Sequence, residues 1–500
     1  MSLMTVSLLF QKEQELATNP LSILFVASEV EGLIKSGGLA DVAKALPEAL
    51  VNLQHDARIA IPAYTAIPNV CDDEVILDTH LETWPHTHYQ VKKRFLGDNP
   101  VYLIACGHYF DRPSMYAENN QAYTDNGERF AFFSAACLDM LPKIGFQPDI
   151  VHANDWHTGL VPFLLKHRYG QDPFFAQTKS ILSIHNAVFK GVFHYDEMQC
   201  LPEFHCRNVP DAAVSSTHMT MLKAGVMNAD KINAVSPTYA EELKTELGSH
   251  GMAWEFQQRA GDLVGILNGC DYSAWHPDTD SYLPINYKAT KQSMVRGKNG
   301  CKRALQEQVG LPVKDVAMFG MVCRLTHQKG VHYLLPVLTE FLKLDVQLVL
   351  VGTGDPLLAA QLRDVAAQFG EKFVFVEAYN NQLAHLVEAA SDFFLMPSEF
   401  EPCGLNQIYS MAYGSLPIVR GVGGLKDSVC DYDVNPETAT GFVFYEPTAQ
   451  ALLITMQRAL LLYAQNLTEL RRVQLYAMER DFCWNKAAEQ YVELYRSALK

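Results

Sequence analysis

The sequence predicts an α/β protein built from two doubly wound domains, each a mainly parallel sheet covered by helices on both faces. Three observations predict it. The chain has 500 residues, of which 48% are hydrophobic and 11% aromatic, enough for two or three cores and too apolar for a disordered chain. Short β-rich runs alternate with longer amphipathic runs, and the strand-like runs are continuously apolar, as strands buried on both faces are. The alternation comes as two series, separated by a stretch with no period.

The first series opens with SILFVAS (22–28). The chain then runs through EVEGLIKSGG and enters a helix-like run from Leu39. WPHTHY places His86 and His88 on a surface hairpin. GERFAFFSAACLDML (127–141) reads as a helix, VHANDWHTGL (151–160) follows a short strand, and KSILSIH (179–185) and KINAVS (231–236) bring the series to about residue 265. Next comes LNGCDYSAWHPDTDSYLPINYKA (267–289), rich in Pro, Asp, Asn and aromatics, the expected interdomain connection. The second series contains VAMFGMV (316–322), VQLVLVG (346–352), FVFVE (373–377) and FFLMPS (393–398), with DPLLAAQLRDVAAQF (355–369) as one of its helices. After Ala449 the chain reads as long helix. The expected division is an N-terminal extension (1–20), a first domain (21–266), a connection (267–290), a second domain (291–480) and a C-terminal helix packing across the domains (481–500).

A formal net charge of −16 argues against nucleic acid, whose phosphates demand converging Lys and Arg, but leaves room for a small anion at a local basic site. The eleven cysteines are an odd number without a CxxC pair, so neither a disulfide framework nor a zinc ribbon is expected, and a reducing cytoplasm fits. No apolar run reaches the roughly 18 residues of a membrane helix, and the first residues, MSLMTVSLLFQKEQE, lack the pattern of a leader. The expected protein is cytoplasmic, with no membrane contact.

Three loops carry the candidate chemistry. In the first, Lys35, Gly37 and Gly38 stand at the mouth of a helix, where glycines let a ligand approach and the unpaired N–H groups favour phosphate; an ordinary capped βα loop would look similar. In the second, RLTHQKG places Arg324 and Lys329 five residues apart in a strand-to-helix loop, where a fork and a compact charge suit one diphosphate. In the third, SEFEPCGLNQ sets Glu399 and Glu401 at a strand's carboxyl end; Glu399 reads better as a helix N-terminal acid. His152, His157 and His185 match no zinc spacing and read as hydrogen-bonded or sugar-contacting groups. VGTGDP (351–356) has Leu357 where a dinucleotide fingerprint has its third glycine, which argues against a nicotinamide cofactor.

Taken together, KSGGLADV (35–42), HANDW (152–156), SIHN (183–186), RLTHQKG (324–330), FEPCGLNQ (400–407) and GGLKDSV (423–429), with DRPSMY, DNGERFAFF and NGCDYSAWHPDTD in the same order, resemble bacterial glycogen synthases and plant starch synthases over almost the whole chain after residue 20. The resemblance implies the glycosyltransferase B fold, two Rossmann-like domains facing across a cleft, with C-terminal helices crossing back to the first. It implies transfer of glucose, with retention and without metal or other cofactor, from ADP-glucose to the 4-hydroxyl of an α-1,4-glucan. By the same resemblance, Glu401, Arg324, Lys329, Asp155 and His185 serve the reaction. Lys35, Gly37, Gly38, Asn186, Gly354, Tyr409, Cys403, Gly404, Leu405 and Gly424 hold the donor, and Glu29 lies on the acceptor side. Tyr409 stands eight residues after Glu401, where many relatives of the fold have a second glutamate.

Overall fold

The computed structural model describes residues 19–82, 84, 87–119, 121–205, 209–378 and 380–500. Most of the N-terminal extension and His86 lie outside these residues. The chain divides into two compact units. Unit 1 comprises the described residues of Met1–Val235, Ala240–Asn268 and Trp484–Lys500; unit 2 comprises Ser236–Tyr239 and Gly269–Cys483.

The strands of the unit 1 sheet are β1 (Ser22–Val26), β2 (Asp56–Pro62), β3 (Glu74–His80), β4 (His88–Leu96), β5 (Asn99–Ala105), β6 (Ile150–Asn154), β7 (Lys179–Ile184), β8 (Lys231–Ala234) and β9 (Leu263–Gly265). Their order is β9-β8-β7-β6-β1-β2-β5-β4-β3. The six pairings from β9 through β5 are parallel, whereas β5, β4 and β3 run antiparallel at one edge. Composition explains the difference. β1 is almost wholly apolar and β6 is buried along its whole length, its His152 and Asn154 included; β3 and β4 alternate polar and apolar residues and keep one face wet. His88 pairs with His80 in the β3–β4 hairpin and is exposed there. The helix Trp484–Leu499 belongs to this unit, packed on the helix Gly38–Asn52 and on β7. Its Tyr495 hydroxyl meets His152 Nδ1 at 2.8 Å, and its Tyr491 hydroxyl shares a 2.7 Å bond with the Asn233 amide.

Unit 2 has an all-parallel sheet of β10 (Ala317–Val322), β11 (Val346–Val351), β12 (Phe373–Val376), β13 (Phe393–Met396), β14 (Leu416–Arg420) and β15 (Phe442–Phe444), ordered β12-β11-β10-β13-β14-β15. Side chains alternate between its two faces. Ala317, Phe319 and Met321 enter one apolar cluster, and Met318 enters the other. Order reverses at β10 and β13, so the loops after these neighbouring strands diverge at a switch point, where α/β sheets bind ligands. The segment 269–290 has no helix or strand longer than one bridge, but it is not loose: Trp275 stacks on His385 at 3.6 Å and Tyr287 is buried in the second cluster.

Candidate functional site

In unit 1, β1 ends at a buried carboxylate. Glu29 accepts the backbone N–H of Ser36, that of Gly37, and the Ser36 hydroxyl at 3.1 Å. Burial pushes its carboxyl above the usual range, against the pull of these bonds. Glu29 is therefore the anchor of the glycine loop, a role that only its distance from Ser36 in sequence hides. Gly37 is extended, with φ at −156°, so neither strain nor turn geometry calls for glycine. A Cβ at Gly38 would meet nothing within 4 Å, and one at Gly37 would meet only Glu29 Oε1 at 4.0 Å. The room in front of this 15-residue helix is open. The Lys35 ammonium is half-exposed and engaged by Asp41 at 2.7 Å and Glu31 at 2.9 Å. Burial works to lower its pKa, and these two carboxylates outweigh that and raise it.

Asp155, next after β6, takes φ +54° and ψ −172°, a backbone region rarely entered by a non-glycine residue. Its Oδ1 accepts the N–H groups of His185 at 2.7 Å and Asn186 at 3.3 Å, tying the ends of β6 and β7. Burial pushes its carboxyl up to about 7. His185 meets Asn154 Oδ1 through Nε2 at 2.9 Å. The Asn154 amide donates to the Val26 and His152 carbonyls, so its oxygen is the acceptor, Nε2 of His185 carries the proton and Nδ1 is left as an acceptor. Burial holds this imidazole neutral, at about 3. The Asn186 side-chain oxygen Oδ1 caps the local turn by accepting the Val188 N–H at 3.1 Å.

The other two candidate histidines are internal. His152 is fully buried between Ser183 at 2.7 Å and Tyr495, and His157 stacks on Trp156 with centroids 4.0 Å apart. Among the described residues no group of three or more His, Cys, Asp or Glu is placed to hold a metal ion.

In unit 2, the loop after β10 holds Arg324 exposed, and among the described residues its guanidinium has no hydrogen bond or ion pair. Lys329 Nζ lies 2.6 Å from Glu401 Oε2, which also accepts the Ser398 hydroxyl at 2.9 Å. The Glu401 carbonyl accepts the Gly424 N–H at 3.1 Å. Backbone fits against backbone throughout. Gly330 has φ +73°, and a Cβ there would lie 1.8 Å from the Pro397 carbonyl oxygen; one at Gly424 would lie 2.1 Å from that of Cys403. Gly354 touches the same loop, since its Cβ would lie 2.4 Å from the Leu325 oxygen. Gly404 turns at φ +74°, Leu405 precedes the helix Asn406–Ala412, and Cys403 is buried. Unit 2 thus gathers Arg324, Lys329, Gly354, Glu401, Cys403, Gly404, Leu405 and Gly424 at the carboxyl ends of its central strands. Tyr409 is buried in the helix behind them, stacked on Trp275 at 4.7 Å.

Glu399 corrects the sequence reading. It is not in the first turn of a helix, because the next helix begins only at Asn406. Its carboxylate accepts the Tyr333 hydroxyl and lies 4.0 Å from Arg420, whose guanidinium also bonds the Ser398 and Glu399 carbonyls. Tyr333 and Arg420 went unnoticed in the sequence because they hold the loop from 66 and 21–22 residues away; Ser398 stands in the motif SEFEPCGLNQ, but its bond to Glu401 is set by the fold. In unit 1, Arg129 also went unnoticed. It is fully buried and bonds the carbonyls of Tyr109 and Met115; the signal for it was a charge directly before the apolar run FAFF.

Residues 22–258 match a family model described as the starch synthase catalytic domain, and residues 302–473 match one described as glycosyl transferases group 1. The chain is 99% identical over 485 residues to the glycogen synthase of Vibrio vulnificus (strain CMCP6), covering 97% of this chain and 100% of that protein. It is 82% identical over 484 residues to the glycogen synthase of Vibrio parahaemolyticus serotype O3:K6, again covering 97% and 100%. Among solved structures it is similar to the catalytic domain of starch synthase IV from Arabidopsis thaliana bound to ADP and acarbose, with a TM-score of 0.85 and 30% identity over 96% of this chain and 100% of that one. A sucrose-phosphate synthase from Thermosynechococcus elongatus shares the fold alone, with a TM-score of 0.58 at 19% identity over 95% and 98%.

Proposed function

Because this chain belongs to the glycogen synthase family, with its glycosyltransferase B fold, we propose that it transfers glucose with retention from ADP-glucose to the non-reducing 4-hydroxyl of an α-1,4-glucan, releasing ADP. The observation that carries this reading is the 2.6 Å pair of Lys329 and Glu401, with Arg324 in the same loop as Lys329 and its guanidinium without a partner among the described residues. Breaking the sugar–phosphate bond leaves negative charge on the departing oxygen and positive charge on the sugar ring. Arg324 and Lys329 receive the first as fixed cations, and the Glu401 carboxylate stabilises the second. Lys329 does not lose its partner when the donor leaves, because Glu401 holds the ammonium in place between turnovers. Gly354, Cys403, Gly404, Leu405, Gly424 and the packed Tyr409 shape the donor side. In unit 1, the open helix mouth at Gly37 and Gly38, with Lys35, serves the donor's distal end. Glu29, Asp155 and Asn186 position the loops that serve the sugars, and His185 offers Nδ1 to a sugar hydroxyl.

Retaining glycosidases place two carboxyl groups about 5–5.5 Å apart, one as nucleophile. The acidic loop supplies only Glu401, since Glu399 is held by Tyr333 and Arg420. This favours front-face attack, in which the acceptor hydroxyl approaches from the leaving-group side and the departing phosphate oxygen takes its proton. A relative whose structure holds ADP supports the adenine nucleotide. A cytoplasmic setting fits the ten described cysteines, all free thiols; no helix among the described residues is long and apolar enough to cross a membrane.

The test is ADP release from ADP-glucose in the presence of glycogen, with UDP-glucose as the competing donor. Release with ADP-glucose is expected, and Lys329→Ala should lower kcat by about 10²–10³ with an unchanged circular dichroism spectrum. No ADP released from ADP-glucose overturns the donor assignment.

A further inference from the structure

Apart from the short excursion Ser236–Tyr239, the chain passes between the two units at two places, after Asn268 and after Cys483. Two cysteines sit at these passages. Cys270 and Cys483 are bridge partners in a parallel pairing of otherwise irregular segments, and the Cys270 N–H donates to the Phe482 carbonyl at 2.8 Å. Bridged strands run ~4.8 Å apart, inside the roughly 4.4–6.8 Å between Cα atoms that a disulfide needs. Directly paired residues also point their side chains to the same face. We propose that Cys270 and Cys483 are a redox-sensitive dithiol that closes to a disulfide, tying together the two segments through which the chain connects its units.

The two thiols have different environments. Cys270 is 3% exposed, and burial pushes its thiol up to about 12. Cys483 is partly exposed, with its sulfur 3.6 Å from Asp481 Oδ2. Cys483 is therefore the sulfur that meets an external oxidant, and Cys270 is the resolving thiol. The Tyr272 hydroxyl bonds the Cys270 sulfur, favouring its thiolate as it attacks, and accepts the Phe482 N–H at 3.2 Å, which keeps the two segments together. With a low-molecular-weight disulfide as oxidant, Cys483 first displaces one thiol and forms a mixed disulfide. Cys270 then attacks the Cys483 sulfur, forming the internal bond and expelling the second thiol. Two protein thiols are oxidised, one small disulfide is reduced to two thiols, and both protons leave on those thiols. Disulfides of intracellular proteins are mostly of this transient, sensing type. Enzymes that close around their substrates depend on free connecting segments, so the bond should slow turnover. That consequence rests on the proposed transferase activity; the bond itself does not.

The experiment treats the full-length protein with glutathione disulfide and maps its peptides by mass spectrometry before and after dithiothreitol. The expected result is a peptide pair joined at Cys270 and Cys483, two hydrogen masses lighter than the reduced pair and restored by dithiothreitol. A stable glutathione adduct on Cys483 with Cys270 still reduced, or either cysteine joined to a third, overturns the proposal; this reading uses the wild-type chain and needs no variant to fold. In parallel, ADP release should fall at least ~5-fold on oxidation, recover on reduction, and stay constant in Cys270→Ser and Cys483→Ser. A mapped disulfide with unchanged turnover overturns the control of rate and leaves the modification standing. Lack of ADP release by the reduced wild type would count against the transferase reading alone.

Discussion

At the scale of single residues, this protein uses buried carboxylates to shape loops as much as to do chemistry. Glu29 and Asp155 each accept backbone N–H groups seven to thirty-one residues further along the chain, and so hold the loops on which the candidate site stands. Asp155 is held in an unusual backbone conformation and in a water-poor place, and its carboxyl rises from 3.8 to about 7. The sign of the consequence follows. A raised folded-state value means that the neutral form is favoured in the folded chain, so the stability it contributes is complete below about 3.8 and is lost as pH rises through about 7. Above that, the ionised group costs on the order of a few kcal/mol. Asp155→Asn keeps an oxygen for the His185 and Asn186 N–H groups but cannot ionise. Its melting temperature relative to the wild type should therefore climb between pH 5 and pH 8; a constant difference across that range would show that the carboxyl does not titrate there.

At the scale of elements, the loops after β10 and β13 act as one piece. Lys329 and Glu401 meet because the backbone of 328–330 lies directly against that of 397–399: the Glu399 N–H donates to the Gln328 carbonyl at 2.8 Å, and Gly330 leaves no room for a side chain. Gly330→Ala adds a left-handed backbone penalty to a collision with the Pro397 oxygen, and should cost at least ~2 kcal/mol. If the loops separate by only about 1 Å, transfer should fall ~100-fold. Gly310 supplies the control. It has φ +77° at the end of the helix Lys291–Val309, yet a Cβ there meets nothing within 4 Å. Gly310→Ala should cost only ~1 kcal/mol and leave ADP release intact. Equal losses in the two variants, by thermal melting and by rate, would show that backbone conformation alone, and not the docking of the two loops, sets the cost.

At the scale of the whole molecule, what was legible in the sequence was what repeats or what is apolar. Strands such as SILFVAS and VQLVLVG announce themselves because both faces are buried, and RLTHQKG announces itself because two cations fall in one loop. What was not legible is which partner each charge finds. Lys35 and Lys329 look alike in the sequence; in the fold one is spent on Glu31 and Asp41 and the other on Glu401. The histidines show the same limit. Three of them read as hydrogen-bonded or sugar-contacting groups, and the sequence did not say which was which: His152 is drawn inside by Ser183 and a tyrosine 343 residues away. That burial has a measurable consequence. His152, His157 and His185 are each depressed from 6.5 to about 3, so the unfolded chain takes up these protons first as pH falls. Their contribution is complete above about 6.5 and drains away toward about 3, each at about 1.4 kcal/mol per pH unit within the window. His152→Gln replaces one of them with a group that does not titrate. The variant should be less stable than the wild type at pH 7, where it has lost a fitted hydrogen-bond pair. Its stability should nevertheless fall less steeply with acid, by about 1.4 kcal/mol per pH unit between pH 6 and pH 4. Calorimetric melting at several pH values measures both quantities, and parallel pH dependences in the two proteins would mean that the buried imidazole is not held neutral.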